Sequence, residues 1–86
     1  MRDTIKNPEY FAHKLQSNQA RILKFETLLT DIEPSNERGI RIGKSWLSRL
    51  HMDSVKLAYS AGAGIQDVYA HYLRFIDSYK DVCAPV

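Results

Sequence analysis

The 86-residue chain has a single cysteine, so no internal disulfide can staple it and packing alone must hold its core. Four glycines and three prolines are too few for a loop-rich or low-complexity chain. Apolar stretches such as Leu28–Leu29 fall far short of the roughly 20 residues a membrane span needs. Neither sign of charge dominates, since 12 Lys and Arg stand against 10 Asp and Glu. A strongly polyanionic or polycationic surface is thereby excluded. Met1–Thr4 lead into charged residues without the apolar centre of an export signal, and together with the lone Cys83 this sets the expectation of a cytoplasmic protein. Nor does any segment alternate polar and apolar residues as a strand would.

Helical periodicity fills the chain instead. Asn7, Pro8 and Glu9 form a helix start, because Asn accepts an orphan backbone N–H, Pro is pre-set for the first helical position and Glu faces the positive end. From there Phe11, Leu15, Asn18, Ile22, Phe25, Leu29 and Ile32 recur at steps of four and three, one stripe that only Asn18 interrupts. Glu33–Asn36 should stop this helix, since Pro34 disfavours helical dihedrals before it. A second helix is expected over residues 36–61 on the stripe Ile40, Gly43, Leu47, Leu50, Ser54, Leu57 and Ala61, with Gly62 as a left-handed cap. Both helices would be roughly 35 Å long at 1.5 Å per residue, and the short loop makes them antiparallel. Gly43 and Ser54 on the inner face leave room for a bulky partner such as Phe11 or Phe25. Asn18 is either a buried polar residue fixing register with Ser54, or an edge residue.

A third helix follows Gly62–Gly64, on the stripe Ile65, Val68, Tyr69, Tyr72, Leu73, Ile76 and Tyr79, and is expected to end near Tyr79 or Lys80. The fold class is all-α: a long antiparallel helical hairpin plus a third helix. Its tyrosines read first as core residues with hydroxyls at the rim, and second as a contact face.

Chemistry-bearing motifs are sparse. His13, His51 and His71 have no second ligand at metal-binding spacing except Asp67 with His71, which reads as a solvated surface pair. There is no phosphate loop and no nucleophile elbow, so no catalytic, metal or cofactor site is expected. Residues 34–61 carry Arg38, Arg41, Lys44, Arg49 and Lys56 against Glu37 and Asp53, which makes the second helix the basic element. Arg38, Arg49 and Lys56 share one line, as on a solvated face, and the modest charge argues against nucleic acid as the partner. Beside that line Ile42, Trp46, Arg49 and Asp53 stack at steps of four, three and four. An aromatic, an aliphatic and an expected Arg49–Asp53 ion pair in one ridge make it the candidate protein-contact surface. Trp46 packing against the third helix or the tail is the competing reading. Leu23 lies off the first stripe, an isolated exposed leucine.

Met1–Phe11, Ile22–Glu26 and above all Leu57-Ala58-Tyr59-Ser60-Ala61-Gly62 followed by Ile65 resemble the helical N-terminal domain of PoNi-type bacterial immunity proteins. The resemblance covers residues 2 to about 80. It implies a non-enzymatic, antitoxin-like protein that binds a cognate DNase toxin of the PoNe type, delivered between competing bacteria. It also implies a second helical domain downstream. Residues 1–80 would then be the PoNi-like domain and 81–86 an irregular tail, with the second domain absent and self-association possible through the surface it would leave. The alternative is a small helical nucleic-acid-binding or regulatory domain using the basic face of the second helix.

Overall fold

The structure, a computed structural model, describes residues 7–83. Three helices follow in chain order, α1 (Pro8–Thr30), α2 (Glu37–Ser60) and α3 (Ile65–Cys83), with no strand among the described residues. The fold is all-α. Met1–Lys6 of the resembling opening segment lie outside the described residues.

The helix starts follow from asparagine. Asn7 is extended, and its Oδ1 accepts the Tyr10 N–H at 2.9 Å ahead of Pro8. Asn36 does the same for α2 by accepting the Gly39 N–H at 2.9 Å. α2 ends in a Schellman arrangement: Gly62 at φ +81° donates to the Tyr59 carbonyl, and Ala63 donates to the Ala58 carbonyl. A residue with a Cβ is disfavoured at that dihedral, which is the physical content of the Gly62 signal.

Two ends differ from expectation. α1 stops at Thr30, so Ile32, placed on the first stripe, falls in the turn. Thr27 Oγ1 donates to the Leu23 carbonyl and Thr30 Oγ1 to the Thr27 carbonyl, and hydroxyls that take up carbonyls in the last turn compete with the helix. At the other end α3 continues to Cys83, past the expected stop at Tyr79 or Lys80. Residues 81–83 are therefore helical rather than irregular, because Val82 extends the spacing of Phe75 and Tyr79 onto α2 and Lys44 Nζ holds Asp81 Oδ1 at 3.3 Å. Residues 84–86 of the expected tail lie outside the described residues.

α2 is the centre of the molecule. α1 and α3 each run antiparallel along it with their backbones apart from one another, giving an elongated body of 51 × 21 × 20 Å. On the α1 side, Asn18 Nδ2 donates to the Leu50 carbonyl at 2.7 Å and to Ser54 Oγ at 2.9 Å, all three residues being buried. The register reading of Asn18 is thus the correct one. Gly43 admits Leu29 rather than Phe11 or Phe25: a Cβ at Gly43 would collide with the Leu29 side chain. The apolar core is thin, with Ile22, Leu50 and Ala58 buried and no buried residue on α3.

Candidate protein-contact surface

Helix α2 has two flanks occupied, one by α1 and one by α3, and two left open. Ile42, Trp46, Arg49 and Asp53 stand together on one open flank. Ile42 is 49% and Trp46 51% exposed, high for residues of their size. The Arg49 guanidinium carbon lies 5.2 Å from the centre of the Trp46 ring, within cation–π range. No Arg49–Asp53 ion pair forms among the described residues. The stacking partner is available at the preceding turn, and a solvated ion pair offers little in competition. Around Trp46, a shallow depression is lined by Arg21 of α1 and by Leu50, Met52 and Lys56 of α2. Those neighbours come from α1 and α2, and α3 is not among them.

The α3 tyrosines do not form a core. Tyr69, Tyr72 and Tyr79 are exposed, and the rings run in sequence along the helix: Tyr69 to Tyr72 at 6.4 Å, Tyr72 to Phe75 at 6.3 Å, Phe75 to Tyr79 at 5.8 Å. Small residues explain the exposure. Ser45 and Ser48 meet the ladder from α2, together with Met52, so α3 lies close without being enveloped. Arg49 and Met52 line this second depression as well as the one around Trp46. Ridge and ladder are therefore one surface joined at Arg49. The angular offset between two helices decides that junction, and a single-helix periodicity does not carry it.

The opposite flank of α2 is a groove between α1 and α3. Glu26 from α1, His51 from α2 and His71 with Arg74 from α3 all line it. Leu23 is 66% exposed, as its place off the first stripe predicts, and borders this groove. Burial pushes the His51 imidazole below its ordinary value, Glu26 opposes that shift, and Arg74 and His71 reinforce it. Burial also lowers His71, again reinforced by Arg74 and opposed by Asp67. His71 is half-buried at the groove, and exposed Asp67 acts on it from the preceding turn. The histidines are twenty residues apart in sequence and meet only because α3 folds back along α2.

Among the described residues, no three His, Cys, Asp or Glu side chains converge as metal ligands would, and Cys83 is exposed and free. No described helix is long and apolar enough to cross a membrane. What the arrangement offers chemically is contact: a stacked Arg–Trp pair, an aromatic ladder and a basic line.

Neither the curated proteins nor the solved structures return a match to this chain. One family does: the match spans residues 2–85 and carries the description PoNe immunity protein (PoNi), N-terminal. With 84 of its 86 residues inside that match, this all-helical chain belongs to the PoNi N-terminal family of immunity proteins.

Proposed function

We propose that this chain binds a DNase toxin and neutralises it without catalysing a reaction, acting in the cytoplasm of the bacterium it protects. The observation that carries the reading is the Trp46–Arg49 stack, held open to solvent in a member of an immunity family. Trp and Arg are the residue types most enriched at binding hot spots, and stacking pre-organises the guanidinium for a partner. The ridge residues Ile42, Trp46, Arg49 and Asp53 form the centre of the contact. Co-expression with a nuclease toxin encoded beside it should restore growth. Undiminished toxicity, both alone and with any downstream domain present, would refute the reading.

The line of Arg38, Arg49 and Lys56 supports a second reading, binding of nucleic acid through the basic face of α2. Phosphate contacts weaken steeply with salt, whereas a mixed apolar and polar contact weakens less. A gel-shift titration at two salt concentrations separates the two.

A further inference from the structure

We propose that the face made by the α2 ridge and the α3 ladder docks an acidic patch with apolar neighbours on the toxin, away from the toxin's DNA-binding cleft. This rests on the immunity reading and names the chemistry of the partner surface. Arg21, Arg49 and Lys56 border the depression that holds Trp46, and Asp53 is the one carboxylate in its lining. None of these three cations has an ion-pair partner among the described residues, where Lys44 and Asp81 form the pair. A cleft that binds DNA is itself basic, so this face and that cleft repel. An acidic patch elsewhere on the toxin is complementary.

The apolar half of the match is on the page too. Exposed Ile42 and Trp46 lie on one side of the junction at Arg49 and Met52, the rings from Tyr72 to Tyr79 on the other, and the ridge from Ile42 to Asp53 alone spans about 17 Å at 1.5 Å per residue. The Arg49 guanidinium lies 5.2 Å from the Trp46 ring centre with no carboxylate paired to it among the described residues, and its forked N–H groups suit a bidentate carboxylate. Nucleic acid fits less well. Neighbouring ladder rings lie 28–41° apart in plane at 5.8–6.4 Å, so they present no row of parallel platforms for successive bases. Asp53 within the depression also repels phosphate.

The test measures binding of the full chain to a catalytically inactivated form of the neighbouring nuclease. Arg49→Glu should weaken binding about tenfold or more, and Tyr72→Ala combined with Tyr79→Ala should also weaken it. Asp53→Asn should tighten binding several-fold, a gain that misfolding cannot produce. A labelled single-stranded oligonucleotide should bind neither wild type nor Asp53→Asn. If wild type binds the nuclease and all three variants bind equally well, the docking face is wrong while the immunity reading stands. Failure of wild type to bind at all overturns both. Nuclease binding indifferent to Arg49→Glu, alongside oligonucleotide binding or self-association that Arg49→Glu abolishes, would assign the face to nucleic acid or to a second copy and overturn the proposal.

Discussion

The two seams along α2 are built on different principles. Between α1 and α2, a buried amide reaches two acceptors and Leu29 sits over a glycine, so side chains on both helices are fixed by what they meet. Between α2 and α3, Ser45 and Ser48 let the backbones come close, but no α3 residue is buried and the aromatic rings lie on the outside. Close approach is not the same as buried apolar area. The first seam specifies register; the second packs a helix closely without burying any of its residues and leaves its tyrosine rings exposed. That division suits a binding domain, since the elements that engage partners are drawn from the less stable part of a fold.

Breaking the first seam should have the largest effect. Asn18→Ala removes two buried hydrogen bonds and leaves a void, at a cost on the order of 2 kcal/mol. In a domain of this size the thermal midpoint should fall by about 10 °C. Asn18→Leu combined with Ser54→Ala replaces the polar pair with apolar groups and should recover most of that loss. A melt as low as that of the single variant would show that the pair does more than satisfy itself. At the second seam, Gly62→Ala forces a side chain into a left-handed dihedral with open space around it, so backbone strain alone should cost about 1 kcal/mol. Hydrogen exchange should show the loss in residues 65–83 before it reaches α1.

Acid should act on the same seam. His51 and His71 are both held below the ordinary value of 6.5, so the unfolded chain takes up protons first as pH falls. Their contribution is flat above about pH 6.5 and turns unfavourable below it, down to their lowered folded values. Melts at pH 7.5 and 5.5 should differ less for His51→Gln than for wild type, and an unchanged difference would remove His51 from the account. The smallest effect belongs to the exposed Lys44–Asp81 pair, where Lys44→Ala should change stability by about 0.5 kcal/mol or less.

Much of this was legible in the residues. Asn7 and Gly62 are local signals acting within one turn, and each lies at a helix end in the structure. Asn18 and Ser54 were readable as a pair because both sit on stripes that an antiparallel hairpin must bring together. The groove was not readable, since Glu26, His51, His71 and Arg74 come from three helices and meet only through the angle at which α1 and α3 flank α2. For the same reason the ridge and the tyrosines read as separate features, whereas Arg49 joins them. The α3 end was misplaced because Val82 and Asp81 are held by α2 and not by the periodicity of α3 itself.

On the proposed reading, the α2–α3 seam presents the surface that meets the toxin. Amide hydrogen exchange of the full chain, free and bound to the inactivated nuclease, tests it most directly. In the free chain, residues 65–83 should exchange faster than the α1–α2 seam around Asn18 and Leu50, and binding should slow exchange in α3 and along the outer flank of α2 around Trp46 and Arg49. Protection confined to α1, with α3 exchanging as in the free chain, would contradict the account.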